Sequence, residues 1–350
     1  MNEKLTLKTV AEKLGVSRTT MSNAYNRPDQ LSPALRERII NGAAALGYQG
    51  PNPAGRLLRT GKTETIGMIF YDRTSQVFYD EMAIELMKGV TEVCESAGVS
   101  LLLVPTKKTR RESVGCLQAL ADGFIVYSAF IDNNHNPVSS VLTRALPTVG
   151  IDQRLVNAPM VGIDDYDGGY KAARHVLGLG HRKLAIIGFY LHRDDTTGVA
   201  SEERIQASGL PTSCNRLRGY RAALSEWGIA AETVAYVETR QSTEEQGYLA
   251  ARALLSGPDR PSAVLCMCDV FALGVIRAAN EMQLKVPEDL SVIGFDGIAS
   301  GQKLSNPLTT ILQDGRAKGA FAAKMILGHQ PLGDIILPVE LVPGGTCGSK

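Results

Sequence analysis

The sequence predicts an α/β protein in which a small head of three helices precedes a larger core of two lobes, each built on a doubly wound parallel sheet. Three observations lead to this fold class: two capped helices around a tight turn, a Pro- and Gly-rich segment after the head, and apolar strands alternating with helices beyond it. We place the head at 1–50, a hinge helix or linker at 51–62 and the core at 63–350.

The first two helices are predicted to form a helix-turn-helix. Thr6 can cap a helix whose apolar residues share one face, and Gly15 can end that helix with a positive φ. Ser17 can cap the second helix, with Val16 and Met21 placed for a hydrophobic staple. Two short helices so close together are typical of DNA-binding heads.

The second helix carries most of the side chains that we expect to contact DNA. Short donors and acceptors together with one arginine are the residue types that read base edges in a major groove. With the capping residues included, the candidate DNA-binding residues of the head are Thr6, Ser17, Arg18, Thr19, Thr20, Ser22, Asn23 and Asn26. Any amphipathic helix pair around a glycine turn shares part of this pattern, so a second argument is needed.

The charge distribution supplies that argument. Residues 1–62 hold 10 Lys and Arg against 4 Asp and Glu, a net +6, whereas residues 63–350 hold 27 against 32, a net −5. Neutralisation of phosphates by Lys and Arg provides the sequence-independent part of DNA affinity. The basic head therefore has the charge that a DNA-binding domain needs.

A third helix and a linker complete the first part of the chain. Ser32 as the N-cap and Pro33 at the first helical position start the helix, which continues to Gly47. The segment that follows contains one short helical piece at 53–59. Because so short a helix is unstable alone, we expect it to be poorly ordered away from DNA.

The core begins with a change to apolar strands separated by longer helices. The predicted strands are 65–70, 100–104, 123–127, 147–151, 160–163, 183–188, 263–267 and 291–295. Runs of this kind are typical of doubly wound parallel sheets, and they are too many for one small sheet. We assign the lobes as follows: lobe 1 at about 63–181 with a return segment at about 312–330, and lobe 2 at about 182–311 with the C-terminal strand. Ligands in such folds bind at the carboxyl ends of strands, here in the cleft between lobes.

One segment of the core does not follow this pattern. Residues 189–215 are polar, without clear periodicity, and long for a connection. The sequence leaves two alternatives, a functional loop or a mobile one.

Composition limits the compartment and the chemistry. The N-terminal segment has no apolar stretch of the kind found in signal peptides, and no apolar run approaches the roughly 18–20 residues that span a bilayer. Six cysteines are too few for a disulfide scaffold. Cys266 and Cys268 alternate along an apolar run without a CxxC or His cluster, which favours buried small residues over a metal site. We expect a cytoplasmic, nucleoid-associated protein without metal, cofactor or membrane contact.

The chain resembles the lactose/galactose repressor (LacI/GalR) family of bacterial transcription regulators. The match is carried by a series of motifs in the family's order, over almost the whole chain: TLKTVAEKLGVSRTTMS at 6–22, LSPALRERI…LGY at 31–48, PNPAGRLLRTGKTETIG at 51–67, GIDDYDGGYKAARHVLGLGHRKLAIIG at 162–188, RLRGYRAAL at 216–224, CDVFALGVIRAA at 268–279, PEDLSVIGFDG at 287–297 and PLTTILQD at 307–314. A single motif of this kind would be weak, whereas the series is specific.

The resemblance implies a homodimer with paired DNA heads and a periplasmic-binding-protein-like core. It implies that Arg18 and Thr19 read bases at the start of the recognition helix, with Asn23 one turn further on. Leu58 falls where the family has a leucine that wedges into the minor groove, although an ordinary helix–helix contact remains an alternative. Because dimeric helix-turn-helix proteins read two-fold related half-sites, a near-palindromic operator follows.

The resemblance also implies an effector cleft. Phe78 and Tyr79 are expected as an apolar wall, and the cleft residues that complete the set are Ser128, Asp167, Arg216, Ser242, Cys268 and Asp296. Of these, the Asp and Arg side chains suit the binding of hydroxyls or a carboxylate. Alternatives remain for several of them: Phe78 and Tyr79 as core residues, Asp167 as a helix cap and Arg216 as a surface cation.

Two positions depart from the family pattern. Cys268 stands where the family commonly has Asn, and Ser242 stands where some members have an aromatic residue. Since sugar pockets combine aromatic faces with polar side chains, a common hexose effector is in doubt. The sequence leaves three alternatives for the effector: a small acid, a phosphorylated sugar, or no small effector at all.

Together these observations predict a sequence-specific DNA-binding transcription regulator, a repressor controlled by a small molecule such as a sugar or sugar derivative. The alternative is a solute-binding module of a transport system, which the same core fold permits. An enzyme is not expected, because no G-x-G-x-x-G after a strand, no P-loop and no Ser/His/Asp series is present.

Overall fold

A computed structural model describes most of the chain: residues 5–51, 57–58, 60–70, 77–105, 118–127, 139–192 and 194–350, without the side chains of 139 and 140. It divides into two compact units, Met1–Glu64 and Thr65–Lys350. The helices are α1 Leu7–Lys13, α2 Arg18–Asn26, α3 Pro33–Ala45, α4 Glu81–Ala97, α5 Ser139–Leu142, α6 Asp165–Gly178, α7 Glu202–Gln206, α8 Pro211–Glu226, α9 Glu244–Leu255, α10 Asp269–Glu281, α11 Ala299–Gln302 and α12 Gly315–Ile326. The strands are β1 Thr65–Phe70, β2 Ser100–Val104, β3 Gly123–Tyr127, β4 Thr148–Ile151, β5 Met160–Ile163, β6 Leu184–Gly188, β7 Gly198–Val199, β8 Ala235–Glu238, β9 Ala263–Cys266, β10 Ser291–Asp296, β11 Thr309–Leu312, β12 Ile335–Leu337 and β13 Glu340–Val342.

The first unit is a three-helix head whose caps are those that the sequence predicts. The Thr6 hydroxyl accepts from the Thr9 backbone N–H at 3.2 Å, and the Ser17 hydroxyl accepts from the Thr20 N–H at 3.0 Å. Gly15, between α1 and α2, has a φ of +67°. The buried residues of the three helices and the segment after them form one small core: Val10, Ala11, Met21, Ala24, Ile39, Ala43 and Tyr48.

Lobe 1 of the second unit is built on a six-stranded parallel sheet in the order β12-β5-β4-β3-β1-β2. Helices α4 and α12 pack together and against one face of it, where residues such as Met68, Ile125 and Val149 are buried. A smaller apolar cluster around Phe124 and Val126 covers the other face. A sheet buried on both faces explains why its strands appear in the sequence as continuous apolar runs.

Lobe 2 has a seven-stranded sheet in the order β13-β11-β10-β9-β6-β8-β7, parallel except for its two edge strands. Helices α6 and α8 pack against one face and α9 and α10 against the other. The chain passes between the lobes three times: from β5 into α6, from β11 into α12, and from β12 into β13.

These crossings correct the predicted lobe boundaries. Helix α6, placed in lobe 1 by the boundary near residue 181, packs against the sheet of lobe 2, so the first crossing lies at Asp164. Glycine makes this packing possible, since a Cβ on Gly169 would lie 2.2 Å from the Arg216 carbonyl oxygen of α8. The return segment also extends beyond residue 330, because β12 pairs with β5 of lobe 1.

Residues 189–210, apart from residue 193, lie at the edge of the lobe 2 sheet, and residues 211–215 form the start of α8. Strand β7 pairs with β8, and α7 follows it. The buried Glu238 carboxylate accepts from the Leu191 N–H at 2.6 Å and from the Arg204 guanidinium at 2.6 and 2.8 Å. Because buried polar groups are hydrogen-bonded in folded proteins, the Glu238 carboxylate ties Leu191 and Arg204 of this segment to the sheet edge.

Candidate DNA-binding surface and ligand cleft

Some polar side chains on the exposed surface of α2 are hydrogen-bonded to one another, and others are not. Ser17 and Thr20 are joined by their hydroxyls at 2.8 Å, and the Asn26 amide donates to the Ser22 hydroxyl at 3.2 Å. These contacts make capping and mutual positioning the local roles of four predicted DNA-binding residues. Thr6 is likewise held in a capping box with Thr9.

Three other side chains of α2 remain available. Arg18 and Thr19 are exposed at the start of the helix and Asn23 is half-exposed. Within the described ranges none of the three makes a side-chain hydrogen bond. Because their donors and acceptors make no hydrogen bond within the described part of the head, these three side chains stay the candidates for contact with base edges.

The predicted hinge at 53–59 lies mostly outside the described residues. Of it, the structure describes 57 and 58, and the Leu58 side chain is 89% exposed. The Gly61 N–H donates to the Leu57 carbonyl at 2.8 Å, which is one helical i to i−4 bond.

In the second unit, several side chains of the predicted cleft gather around a buried arginine between the two lobes. Arg216 on α8 is 4% exposed, and its Nε donates to Asp165 Oδ1 at 2.8 Å. Its Nη1 donates to the Met267 carbonyl and lies 3.9 Å from Asp296 Oδ1. The guanidinium stacks on the Phe295 ring, with 3.5 Å from Cζ to the ring centroid. Burial raises the pKa of the Asp165 carboxyl, while the Arg216 charge opposes that rise.

Asp296 ends β10 in a conformation that non-glycine residues rarely adopt. Its φ is +124°, and such strain persists only where the surroundings impose it. Here the neighbouring Asp269 imposes it: the buried Asp269 carboxylate accepts from the N–H groups of Gly297 and Ile298 at 2.7 and 2.9 Å. The Thr310 hydroxyl donates to the same carboxylate at 2.6 Å. Asp269 thus holds the turn that presents Asp296 to the cleft.

A second charged pair, Lys318 and Asp152, is connected to Asp296 from lobe 1 through Gln313. Gln313, in the crossing between β11 and α12, donates through Nε2 to Asp296 Oδ1 at 2.5 Å and accepts from Lys318 Nζ at 2.7 Å. Lys318 Nζ also donates to Asp152 Oδ2 at 2.5 Å. Side chains from both lobes are therefore linked into one chain of hydrogen bonds across the crossing.

One further hydrogen bond joins the two lobes at the N-terminus of α4. The Ser300 N–H on α11 donates to Glu81 Oε2 at 3.1 Å. In the part of the chain that is described, no group of three or more His, Cys, Asp or Glu side chains is arranged to hold a metal ion.

Known proteins resemble this chain in sequence and in fold. Residues 173–347 match the family described as periplasmic binding protein-like domain. The HTH-type transcriptional regulator Rv3575c of Mycobacterium tuberculosis is 36% identical over 98% of this chain and 97% of its own length. A crystal structure of a LacI-family transcriptional regulator from Corynebacterium glutamicum is 30% identical, with 99% of both chains covered and a TM-score of 0.71. The chain belongs to the LacI family of helix-turn-helix transcriptional regulators.

A more distant structure shows the same fold. The lac repressor dimer, bound to operator and the anti-inducer ONPF, is 23% identical, with 99% and 100% of the two chains covered and a TM-score of 0.79. Among the described residues, none of the helices is long and apolar enough to cross a membrane.

The structure brings some of the predicted cleft residues together and separates others. Arg216, Asp296 and Cys268 lie in the cluster, and burial followed by the nearby Asp296 charge raises the pKa of the Cys268 thiol. Cys266 and Cys268 are 1% and 3% exposed, in agreement with their interpretation as buried small residues. Ser128 lies outside the described residues.

Asp167 does not face Arg216. Its carboxylate pairs with Lys171 at 2.6 Å on the exposed side of α6, and Asp165 takes the place beside the guanidinium. Phe78 and Tyr79 are 57% and 88% exposed, so neither is a core residue, and Ser242 is exposed as well.

Sequence reasoning missed several cleft residues, which are Asp152, Asp165, Phe189, Gln313 and Lys318. Phe189 supplies an aromatic face, with its ring centroid 5.7 Å from the Arg216 guanidinium carbon. One signal was available: Asp152, Phe189 and Gln313 each follow the last residue of a strand directly, where ligand sites of such sheets lie.

Proposed function

We propose that this regulator is a repressor that binds a near-palindromic operator as a homodimer and responds to a small polar molecule held in the cleft. The observation that carries the proposal is the pairing of two features in one chain. The basic head presents Arg18, Thr19 and Asn23 with unused polar groups, and the core holds a desolvated Arg–Asp cluster between two lobes. The dimer, operator and small ligand seen with the lac repressor support the same assembly here.

Control by the ligand follows from the connection of the lobes. Three crossings and the Glu81–Ser300 bond link them, so a ligand that contacts both lobes changes the balance between open and closed cores. The ligand shifts that balance only by its difference in affinity for the two states. In this proposal, the change between open and closed cores alters operator binding through the hinge, which includes Leu58.

DNase footprinting on the region upstream of the protein's own locus tests the proposal. The expected result is a protected, near-palindromic site at moderate salt. A protein that protects no such site, there or in a genome-wide selection for bound fragments, would overturn the operator proposal.

Arg18→Ala separates base reading from general charge. Loss of a base contact costs about 1–3 kcal/mol on the cognate site and relaxes preference at one base pair. Arg38→Ala is the matched control, since it removes an equal charge from an exposed position on α3. If Arg18→Ala weakens binding uniformly on all sequences, as a lost phosphate contact does, Arg18 does not read a base.

The proposal assigns the chain no catalytic step and places it in the cytoplasm with the chromosome. A solute-binding module of a transport system would share the core but would have no use for a basic helix-turn-helix. Purified protein that shifts operator DNA and leaves candidate ligands chemically unchanged excludes both the transport module and an enzyme.

A further inference from the structure

Arg36, on α3, is bonded to the C-terminal end of α2, the helix that carries the candidate base-reading residues. Its Nε donates to the Ala24 carbonyl at 3.2 Å. In a longer helix that carbonyl would accept from the N–H of the residue four positions on, but this residue is Pro28, which has no N–H. Arg36 therefore satisfies a carbonyl that α2 cannot satisfy itself.

Most of the guanidinium group of Arg36 is not used by this bond. Of its five N–H donors Nε provides one, and the four on Nη1 and Nη2 make no hydrogen bond within the described residues. Arg36 is exposed, and no carboxylate among the described residues pairs with it. Because the bond to Ala24 already restricts the side chain, less conformational freedom is lost when Nη1 and Nη2 bind a further acceptor.

The position of Ala24 along α2 determines where this group lies on DNA. Helix-turn-helix proteins contact base edges with the N-terminal residues of the recognition helix, which here are Arg18 and Thr19. Ala24 comes six residues after Arg18, which is about 9 Å along the helix axis at about 1.5 Å per residue. The major groove is about 8.5 Å deep, and the phosphate backbones form its edges. A helix that enters the groove by its N-terminus therefore brings Ala24, and the guanidinium bonded to it, to the level of the phosphates.

Capping of α2 does not by itself require an arginine. A glutamine has its Nε2 as many bonds from the backbone as an arginine has its Nε, and it donates without carrying a charge. The last turn of α2 holds no basic residue, so the charge of Arg36 also stabilises the negative end of the helix dipole. Neither role uses the forked Nη1 and Nη2 groups, whose geometry matches the oxygens of a phosphate.

We propose that Arg36 is a contact to the DNA backbone. Its Nε holds the end of the recognition helix while Nη1 and Nη2 bind one phosphate at the edge of the major groove. The contact is independent of base sequence, so it adds affinity and fixes how deeply α2 lies in the groove. The inference goes beyond the proposed function, which assigns base reading to residues of α2 and gives Arg36 no role.

Arg36→Gln separates the two roles, because it keeps a donor for Ala24 and removes the charge and the fork. Affinity of the full-length protein for the duplex that it binds best is measured by anisotropy between about 0.05 and about 0.2 M salt. One phosphate contact contributes about 0.9 to the slope of log affinity against log salt. The slope of Arg36→Gln should be smaller by about 0.9, so the ratio of wild-type to variant affinity should fall about 3.5-fold across this range. An unchanged slope means that Arg36 only caps α2, and it overturns the proposal.

Arg38→Gln is the matched control, since it removes an equal charge from an exposed residue of the same helix. It should keep the wild-type slope. An equal loss of slope in Arg38→Gln would mean that the total charge of the head sets the salt dependence, and that result refutes a specific contact. Hydrogen exchange of residues 6–26 without DNA reports whether each variant keeps the head folded.

Should Arg36→Gln loosen the head, Arg36→Lys and Arg36→Met are compared instead. Both lose the forked group and they differ in charge, so the slope should be larger for Arg36→Lys by about 0.9. Equal slopes for these two variants overturn the proposal.

Duplexes with one neutral methylphosphonate then locate the contact. At one position the replacement should weaken the wild-type protein but should not weaken Arg36→Gln further, because the partner is already lost. A scan without such a position overturns the proposal. Absence of a protected palindrome refutes the proposed function alone, since the salt slope on the best-bound duplex still tests Arg36.

Discussion

Arg216→Met tests whether the centre of the cleft is an energetically coupled pair. In the folded protein Arg216 is 4% exposed, and its guanidinium lies 2.8 Å from Asp165, whose side chain is 11% exposed. Removing one partner of a buried pair leaves an uncompensated charge, at a cost of about 3–5 kcal/mol. At about 2 °C per kcal/mol for a domain of this size, the ligand-free core should lose roughly 6–10 °C in Tm.

Arg221→Met is the matched control, because it applies the same change to the same helix. Arg221 pairs with Glu202 at 2.6 Å, but both side chains are more than a quarter exposed, so its loss should cost about 1 kcal/mol or less. Differential scanning calorimetry without ligand measures both. Adding Asp165→Asn to Arg216→Met should recover part of the loss. Equal losses for the two single variants, or no recovery, would refute the reasoning.

Three further outcomes follow from other parts of the molecule. Leu58→Ala, which truncates a side chain that is 89% exposed, should weaken operator affinity and bending but spare non-specific binding, as measured by anisotropy and circular-permutation shifts. Burial, and to a smaller extent the charge of Asp296, raises the pKa of the Asp269 carboxyl in the folded protein. The contribution of Asp269 to the free energy of unfolding is therefore full below the pKa that this carboxyl has in the unfolded chain, and it falls as the pH rises. Between about pH 4 and about pH 8 the free energy of unfolding of the protein should fall more steeply than that of Asp269→Asn, and parallel curves in urea melts would contradict this. Gly169→Ala should destabilise by about 1–3 kcal/mol, because its Cβ would meet backbone of α8 at 2.2 Å. Gly178→Ala, with nothing within 4 Å, should be neutral or stabilising by up to about 1 kcal/mol.

Most of the strands that the sequence predicts are buried on both faces, and the edge strand β2, which is partly exposed, is the exception. All eight predicted strands are present with ends shifted by at most one residue, because continuous apolar runs mark them. The strands that were missed are short, lie at sheet edges or carry polar residues, as β8 does with the buried Glu238. Pairing at an edge is decided by tertiary contacts, which a local pattern does not contain.

Two errors in the core have the same origin. The sequence predicts the amphipathic face of α6 but not which sheet covers it, so the predicted lobe boundary near residue 181 puts the helix in the wrong lobe. The choice of Asp167 over Asp165 depends on where the helix starts. Residues two apart point about 200° apart around an α-helix, so with Asp164 as the cap only one of them faces Arg216.

The cleft cluster was the least predictable part of the candidate site. Asp152 is distant in sequence from Gln313 and Lys318, and it meets them only because the chain returns to lobe 1 at residues 313–314. The head was more predictable, since caps and apolar spacing are local: the Thr6 and Ser17 caps have the predicted bonds.

The central claim is that the cleft and the head are coupled, and one titration tests it most directly. Operator affinity of the full-length protein is measured by anisotropy with and without a saturating ligand found by thermal shift, and ligand affinity is measured with and without operator. The account predicts that the two affinities change by the same factor, of about 5–150-fold. Unchanged operator affinity in the presence of a ligand that binds the cleft would contradict it.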